Sequence, residues 1–265
     1  MRFTKMEGLG NDYIYLDGLE GGFEDLPGLA VKLSDRHFGV GADGLICIRP
    51  GVLGDFSMEM YNADGSRGSM CGNGIRCVGK YVYDRGLTQR TRLTVDTGAG
   101  PRELELHVSG GEVDRVTVDM GEAELLPPVE LEAGGALFWV HPVRVGNPHA
   151  VIFCPEPEEV DLERLGPLLE VHPGLGERRN VEFALCPDRE RLRLRVWERG
   201  SGITLACGTG ACAAFAAAER EGFCGSRVTA CLPGGELLLE RRGERIRMTG
   251  PARTVFEGEI QILGE

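Results

Sequence analysis

The sequence predicts an α+β protein built from two homologous halves, each a largely extended chain wrapped around one buried helix of small residues. Three observations carry this reading. Most apolar segments alternate with period two, as half-buried strands do. One stretch, LACGTGACAAFAAAE at Leu205 to Glu219, is a glycine turn running into an alanine-rich helix whose charges come only near its end, at Glu219 and Arg220. The C-G-x-G turn of that stretch also has a counterpart in MCGNGIRC, with Cys71 and Cys207 lying 136 positions apart (207 − 71).

In chain order, FTKMEGLGNDYIYLDG reads as a strand interrupted by a turn at Gly8 to Asn11, and a helix is expected from about Gly28 to Arg36. HFGVGADGLICI is glycine-broken and enters a strand at Leu45 to Ile48. Its GVGADG superficially resembles a dinucleotide loop, but no helix follows, so it reads as a turn. FSMEMY alternates cleanly and is a strand. A polar loop follows, then a helix to about Asp84 with Gly86 as its stop. Leu93 to Asp96, Arg102 to Val108 and EVDRVTVDM are further strands, the last two joined by the turn Gly110-Gly111.

Pro127, Pro128 and Gly134-Gly135 make the next region the best linker candidate. Extended chain resumes at Phe138 to Val145, followed by the polar turn GNPHA and a strand at Val151 to Phe153. EPEEVDLERLGPLLEVH reads as a solvated helix, and Arg191 to Trp197 as a half-buried strand. After the alanine-rich helix come a strand near Val228 to Cys231, the turn LPGGE, the hairpin ELLLERRGERIRM and a final strand TGPARTVFEGEIQI.

The repeat is more than one shared turn. At the same offset Gly10-Asn11 falls on Gly146-Asn147, the strand ending at Asn62 falls on the strand ending at Glu198, and Gly86 falls on Gly222. Two halves are therefore expected, at 1–115 and 116–253, with the first half as the expected resting place of the C-terminal strand, about 254–265. A pseudo-two-fold axis would set matching loops face to face, with Cys71 and Cys207 across a shared active-site cleft.

Composition narrows the function. Apolar residues make up 42% and charged residues 26%, which fits a globular chain, and the net charge of −12 argues against a nucleic-acid or anionic-membrane surface. A small-molecule partner is expected. The N-terminal MRFTKMEGLG lacks a basic segment followed by an apolar core, so a cytoplasmic location is expected. Nine widely spread cysteines read as reduced thiols, and with no CxxC present no metal is expected.

A cysteine at the start of a helix faces unpaired N–H groups and the positive end of the dipole, both of which favour thiolate. Taken alone, such a cysteine reads equally as a small residue filling a tight loop. Two of them on opposite sides of a cleft suit one reaction: proton removal from one face of a carbon and delivery to the other, which is racemisation or epimerisation. Lys5, Lys32 and Lys80 are the only lysines and none sits in a recognisable cofactor loop, so no organic cofactor is expected. Asn11 and Asn147 read alone as turn residues, and their matched positions favour a functional role. Asn62 and Asn180 alone read as caps or turns, Glu198 and Arg199 as an exposed pair, and His149 as structural or as a bias on a thiol.

GLGNDYIYLDG, YNADGSRGSMCGNGIRC, VGNPHAV, NVEFA, VWERGSGITLACGTGACA, LPGG and TGPARTVFEGE together resemble the diaminopimelate epimerase family, in that order and over nearly the whole chain. The resemblance implies two pseudo-symmetric domains, each a barrel-like, mostly antiparallel sheet around a central helix. It also implies cofactor-independent interconversion of LL- and meso-diaminopimelate in lysine and cell-wall precursor synthesis, often by a homodimer. Position by position, Cys71 and Cys207 match the acid/base pair. Asn11, Asn62, Gly72, Asn73, Asn147, Asn180, Glu198, Arg199, Gly208 and Thr209 match substrate-contacting positions. His149 and Glu198 are implied to tune the thiols, and Arg199 to hold the distal carboxylate. One departure stands out: Gly44 occupies a position where the family commonly has glutamine. A proline or hydroxyproline racemase of the same fold is the nearest alternative, and it would be expected to lack the WERG signature. A thiol redox or metal-binding protein is the alternative from another class.

Overall fold

The structure, a computed structural model, describes residues 1–261, so residues 262–265 of the expected C-terminal strand lie outside the described residues. The chain folds as two compact units, one comprising Met1–Val118 with the segment from Gly250, the other Asp119–Thr249.

The first unit begins with β1 (Arg2–Gly8) and β2 (Asn11–Asp17), an antiparallel pair whose turn places Leu9 and Gly10 at positive φ. Then follow α1 (Leu26–Ser34), β3 (Gly44–Pro50), β4 (Phe56–Asn62), the short β5 (Arg67–Gly68), α2 (Gly72–Asp84), β6 (Arg92–Asp96), β7 (Arg102–Ser109) and β8 (Glu112–Glu122). Two neighbours are parallel, β2 with β3 and β4 with β6, and each is bridged in sequence by a helix, as parallel pairing requires. The remaining ladders are antiparallel. α2 is buried from Gly72 to Val82 and touches β1 and β2 on one side and β7 on another, so the sheet curls around it. Small residues make this possible: a Cβ at Gly79 would press into Leu106 at 2.8 Å.

The second unit repeats this plan. It contains β9 (Glu124–Leu125), β10 (Val129–Ala133), β11 (Ala136–Val145), β12 (Asn147–Phe153), α3 (Leu162–Glu170), β13 (Asn180–Asp188), β14 (Arg191–Glu198), β15 (Gly202–Thr204), α4 (Gly208–Arg220), β16 (Arg227–Leu232), β17 (Gly235–Arg242) and β18 (Arg245–Pro251). Again two neighbours are parallel, β12 with β13 and β14 with β16, bridged by α3 and α4. The alanines of α4 are buried against β11, β12, β13, β14, β16 and β17. The last strand, β19 (Arg253–Glu259), pairs with β1 in the first unit.

The 136-residue offset holds without a gap as far as β6 and β16; beyond them the second unit is three residues shorter, so β17 and β18 start three residues earlier than the offset would place them. It carries α1 onto α3, α2 onto α4 and β2 onto β12 with identical bounds. It even carries caps onto caps: Asp25 accepts from Gly28 N at 2.9 Å, and Asp161 accepts from Arg164 N at 3.2 Å.

Two local expectations change. The Pro127–Gly135 stretch is no linker, because Gly134 and Gly135, both at positive φ, form the two-residue turn of a β10–β11 hairpin that pairs Ala133 with Ala136. The acidic stretch is not wholly solvated either. It contains α3, whose Leu162, Leu165 and Leu169 join Phe183, Ile152 and Val140 in a core cluster. Among the described residues, no helix is long and apolar enough to cross a membrane.

α3 also packs on Trp197, whose indole N–H donates to Glu170 Oε2 at 2.7 Å. A Cβ at Gly166 would overlap that ring. Helix propensity favours Gly166→Ala by about 1 kcal/mol, but overpacking against a pinned indole costs about 1–3 kcal/mol. The variant is therefore expected to lower the urea midpoint, and a raised midpoint would contradict this packing.

Candidate active site

α2 and α4 each start on a cysteine, and they start the same way. Cys71 (φ −126°, ψ 119°) accepts the Gly74 N–H on its sulfur at 3.3 Å, and Cys207 (φ −123°, ψ 111°) accepts the Gly210 N–H at 3.4 Å. A sulfur replaces the usual oxygen of an N-cap, so each thiol sits at the positive end of a thirteen-residue helix.

In the first unit, the turn between β1 and β2 places Asn11 beside Cys71, whose thiol donates to Asn11 Oδ1 at 3.2 Å. The amide orientation is set from behind, since Asn11 Nδ2 donates to Asp43 Oδ2 at 2.9 Å. Asp43 is in turn held by Arg36 at 3.0 Å, while burial and then the neighbouring Asp12 charge push its carboxyl up. Asn62 ends β4 and donates through Nδ2 to Ser66 Oγ at 2.9 Å. Gly72 and Asn73, both buried, open α2. Beneath this turn lies Arg76, with no exposed surface, donating to the Gly72 and Pro251 carbonyls at 3.1 and 3.0 Å. Burial pulls its pKa down, and attraction to Cys77 and Cys71 opposes that pull.

Gly44 starts β3 opposite Asn62, and a Cβ there would overlap the Tyr61 carbonyl and meet the Tyr13 ring at 2.8 Å. The departure from glutamine is thus built into the backbone.

In the second unit, Asn147 starts β12 and its Oδ1 lies 3.0 Å from His149 Nε2, while His149 Nδ1 lies 2.7 Å from Glu182 Oε1. Both side chains of the His149–Glu182 pair are fully buried. Parallel pairing of β12 with β13 sets Asn180 beside His149, with Glu182 two residues further on. Glu182 reaches the first turn of α4, where a Cβ at Gly210 would stand 2.5 Å from its Oε1. Asn180 Oδ1 accepts the Arg199 N–H at 2.8 Å and so fixes the exposed end of β14. Glu198 Oε1 accepts from Thr204 Oγ1 at 2.6 Å, and burial pushes its carboxyl up against the hydrogen bonds from Thr204 and Cys207. Thr209 Oγ1 lies 3.5 Å from the Cys207 sulfur, and Gly208 opens the helix.

At Cys207 the helix start favours the thiolate, as expected, but burial opposes it. Burial first, and then the charges of Glu198 and Glu182, raise its pKa well above the ordinary thiol value, despite opposing hydrogen bonds from Thr209 and Gly210. A raised pKa favours the protonated thiol at Cys207, the form that can act as an acid.

The structure gathers Asn11, Cys71, Gly72, Asn73 and, nearby on β4, Asn62 in the first unit. In the second it gathers Asn147, His149, Asn180, Glu198, Arg199, Cys207, Gly208 and Thr209. Sequence reasoning missed Asp43 and Glu182 and gave Arg76 no role. A signal existed for Glu182, as an acidic residue inside the otherwise apolar VEFAL.

A diaminopimelate epimerase family profile matches residues 3–126 and 142–255, which include both thiols. The chain belongs to the diaminopimelate epimerase family. It is 47% identical over 277 residues to a diaminopimelate epimerase of Methanococcus maripaludis strain C5, covering 99% of this chain and 100% of that one. A diaminopimelate epimerase of Acetivibrio thermocellus is 48% identical over 279 residues, with 99% of each chain covered. Among solved structures, a probable proline racemase from Agrobacterium radiobacter K84 superposes with a TM-score of 0.77, covering 98% of this chain and 93% of that one. At 15% identity that likeness speaks for the fold alone.

For this family member, Glu198→Gln removes a charge that holds the Cys207 thiol up, so the thiol should ionise at lower pH. Iodoacetamide labelling of Cys207 at pH 8, followed in a Cys71→Ser background, is expected to speed up by roughly 3–10-fold. Unchanged or slower labelling would contradict the electrostatic account.

Proposed function

We propose that this chain is an isomerase that interconverts LL- and meso-diaminopimelate, with Cys71 and Cys207 exchanging protons at opposite faces of one α-carbon. The observation that supports it is the pair of thiol-capped helix starts, two copies of one device at a 136-residue offset within a diaminopimelate epimerase family chain. In one direction a thiolate removes the α-proton while the other cysteine, as thiol, delivers its own from the far side. The enzyme finishes with the two roles exchanged, and the reverse reaction restores them.

The difficult part is charge on the α-carboxylate as the carbon becomes planar. In this reading the first-turn N–H groups of α2 and α4 receive that charge, because helix starts present donors and a positive dipole end together. Glycine at 72 and 208 leaves room for close approach. Asn11, Asn62, Asn73, Asn147, Asn180, Glu198 and Thr209 contact the substrate. Arg199, exposed just past the end of β14, pairs with the distal carboxylate, and His149 and Glu198 tune the thiols. Acid and base both come from the chain itself, so the reading needs no cofactor. A homodimer in the cytoplasm belongs to the same reading.

Cys71→Ala and Cys207→Ala should each cut LL-to-meso turnover at least ~10³-fold with the far-UV spectrum intact. Arg199→Met should act mainly through KM, and proline should not be racemised. Full activity in either cysteine variant, read by chiral separation of the diaminopimelate isomers, would overturn the two-thiol scheme.

A further inference from the structure

Asp43 stands behind the first thiol, immediately before β3, and its backbone is tied on both sides. Its N–H donates to the Asp12 carbonyl at 2.9 Å, and its carbonyl accepts the Ala63 N–H at 3.0 Å. Its side chain takes donors on both oxygens: Oδ2 accepts from Asn11 Nδ2 at 2.9 Å and from the Asp12 N–H at 3.2 Å, and Oδ1 accepts from Arg36 Nη2 at 3.0 Å. Lys5 pairs with the neighbouring Asp12 at 2.8 Å, while Arg36 lies 3.7 Å from Asp12 and closer to Asp43.

A side-chain amide has one oxygen and one nitrogen, and a carboxylate can only accept. With Asp43 behind it, Asn11 turns its nitrogen back and its oxygen forward onto Cys71, whose thiol donates to Oδ1 at 3.2 Å. An oxygen at that place supports the thiol, whereas an N–H there would support the thiolate, as the Gly74 N–H on the same sulfur does. The other ionisable groups that bear on Cys71 are Arg76 and Cys77 on α2 and Tyr15 on β2. The duplicated backbone does not impose this orientation. The positions matching Arg36 and Asp43 hold His172 and Arg179, and Asn147, the match of Asn11, keeps its oxygen on His149 Nε2 at 3.0 Å.

We propose that Asp43 is a positioning residue for the reaction: by accepting from Asn11 Nδ2 it keeps the amide oxygen on Cys71, and so keeps that cysteine in its proton-delivering form. Arg36 holds the carboxylate in place, and the backbone ties to Asp12 and Ala63 fix where it stands. Without Asp43 the amide is free to turn over, present Nδ2 to the sulfur and favour the thiolate instead. The proposal rests on the reading of Cys71 as one of the two reacting thiols. Alkylation reads the sulfur itself with no diaminopimelate present, so its outcome is separate from whether diaminopimelate is the substrate.

The test uses reduced full-length protein in a Cys207→Ser background, labelled with iodoacetamide from about pH 7 to pH 10, with the Cys71 peptide quantified by mass. Asp43→Ala should speed Cys71 labelling near pH 8 by roughly 5–10-fold, with the two rates converging at the alkaline end, where the thiol is ionised in both proteins. Asp43→Ser is run alongside in case the alanine variant does not fold, since its hydroxyl can still accept the Asp12 N–H but is too short for Asn11, and it should behave alike. In an Asn11→Ala background, Asp43→Ala should change the rate by less than about twofold. Unchanged or slower labelling with Asn11 present would overturn the proposal. So would an equal acceleration without Asn11, which would mean that Asp43 acts by charge alone, or a rate difference that persists at the alkaline end, which would mean altered access to the sulfur.

Discussion

The hydrogen bond from a first-turn glycine N–H to a cysteine sulfur, made once at Cys71 and once at Cys207, is the constraint the structure is arranged around. Each needs glycine three residues on, because Ile46 Cδ1 and Glu182 Oε1 would press against any Cβ at Gly74 and Gly210. Each needs a helix start deep in a sheet, and so a helix of small residues that many strands can approach. The parallel strand pairs on either side of each helix follow from the same demand, since a buried crossover helix is what joins parallel neighbours.

Backbone is duplicated here, and electrostatics is not. At matching positions Asn62 corresponds to Glu198, Ile46 to Glu182, Tyr13 to His149, Asp43 to Arg179 and Arg76 to Cys212. One thiol therefore donates to an amide oxygen above a buried guanidinium. The other lies among carboxylates that hold its proton on. Equal geometry with unequal charge suits a reaction whose two bases must differ in protonation state at any moment.

Much of this was legible in the sequence because duplication leaves a trace that runs without a gap as far as β6 and β16. The offset between Cys71 and Cys207 carries α1 onto α3 and cap onto cap, so one repeat located most elements at once. Where reading failed, tertiary contact overrode local chemistry. Gly134-Gly135 resembled a linker because hairpin turns and linkers use the same residues, and only the Ala133–Ala136 pairing tells them apart. The Leu162, Leu165 and Leu169 stripe was hidden in an acidic stretch, one of whose carboxylates, Glu170, is itself buried beside it. Glu182 escaped because its partner His149 lies 33 residues away and they meet only through the β12–β13 pairing. At Cys207 the helix dipole was legible, but the burial that outweighs it was not.

The central claim is that two different groups handle the proton. It is tested most directly by offering LL-diaminopimelate to the enzyme in heavy water and stopping within the first few per cent of conversion. A thiol that has exchanged with solvent should deliver deuterium to the new meso centre, while the abstracted proton stays on the opposite cysteine, so recovered LL substrate keeps its hydrogen. Deuterium appearing in recovered LL substrate as fast as in meso product would mean a single base serving both faces, and would contradict the account.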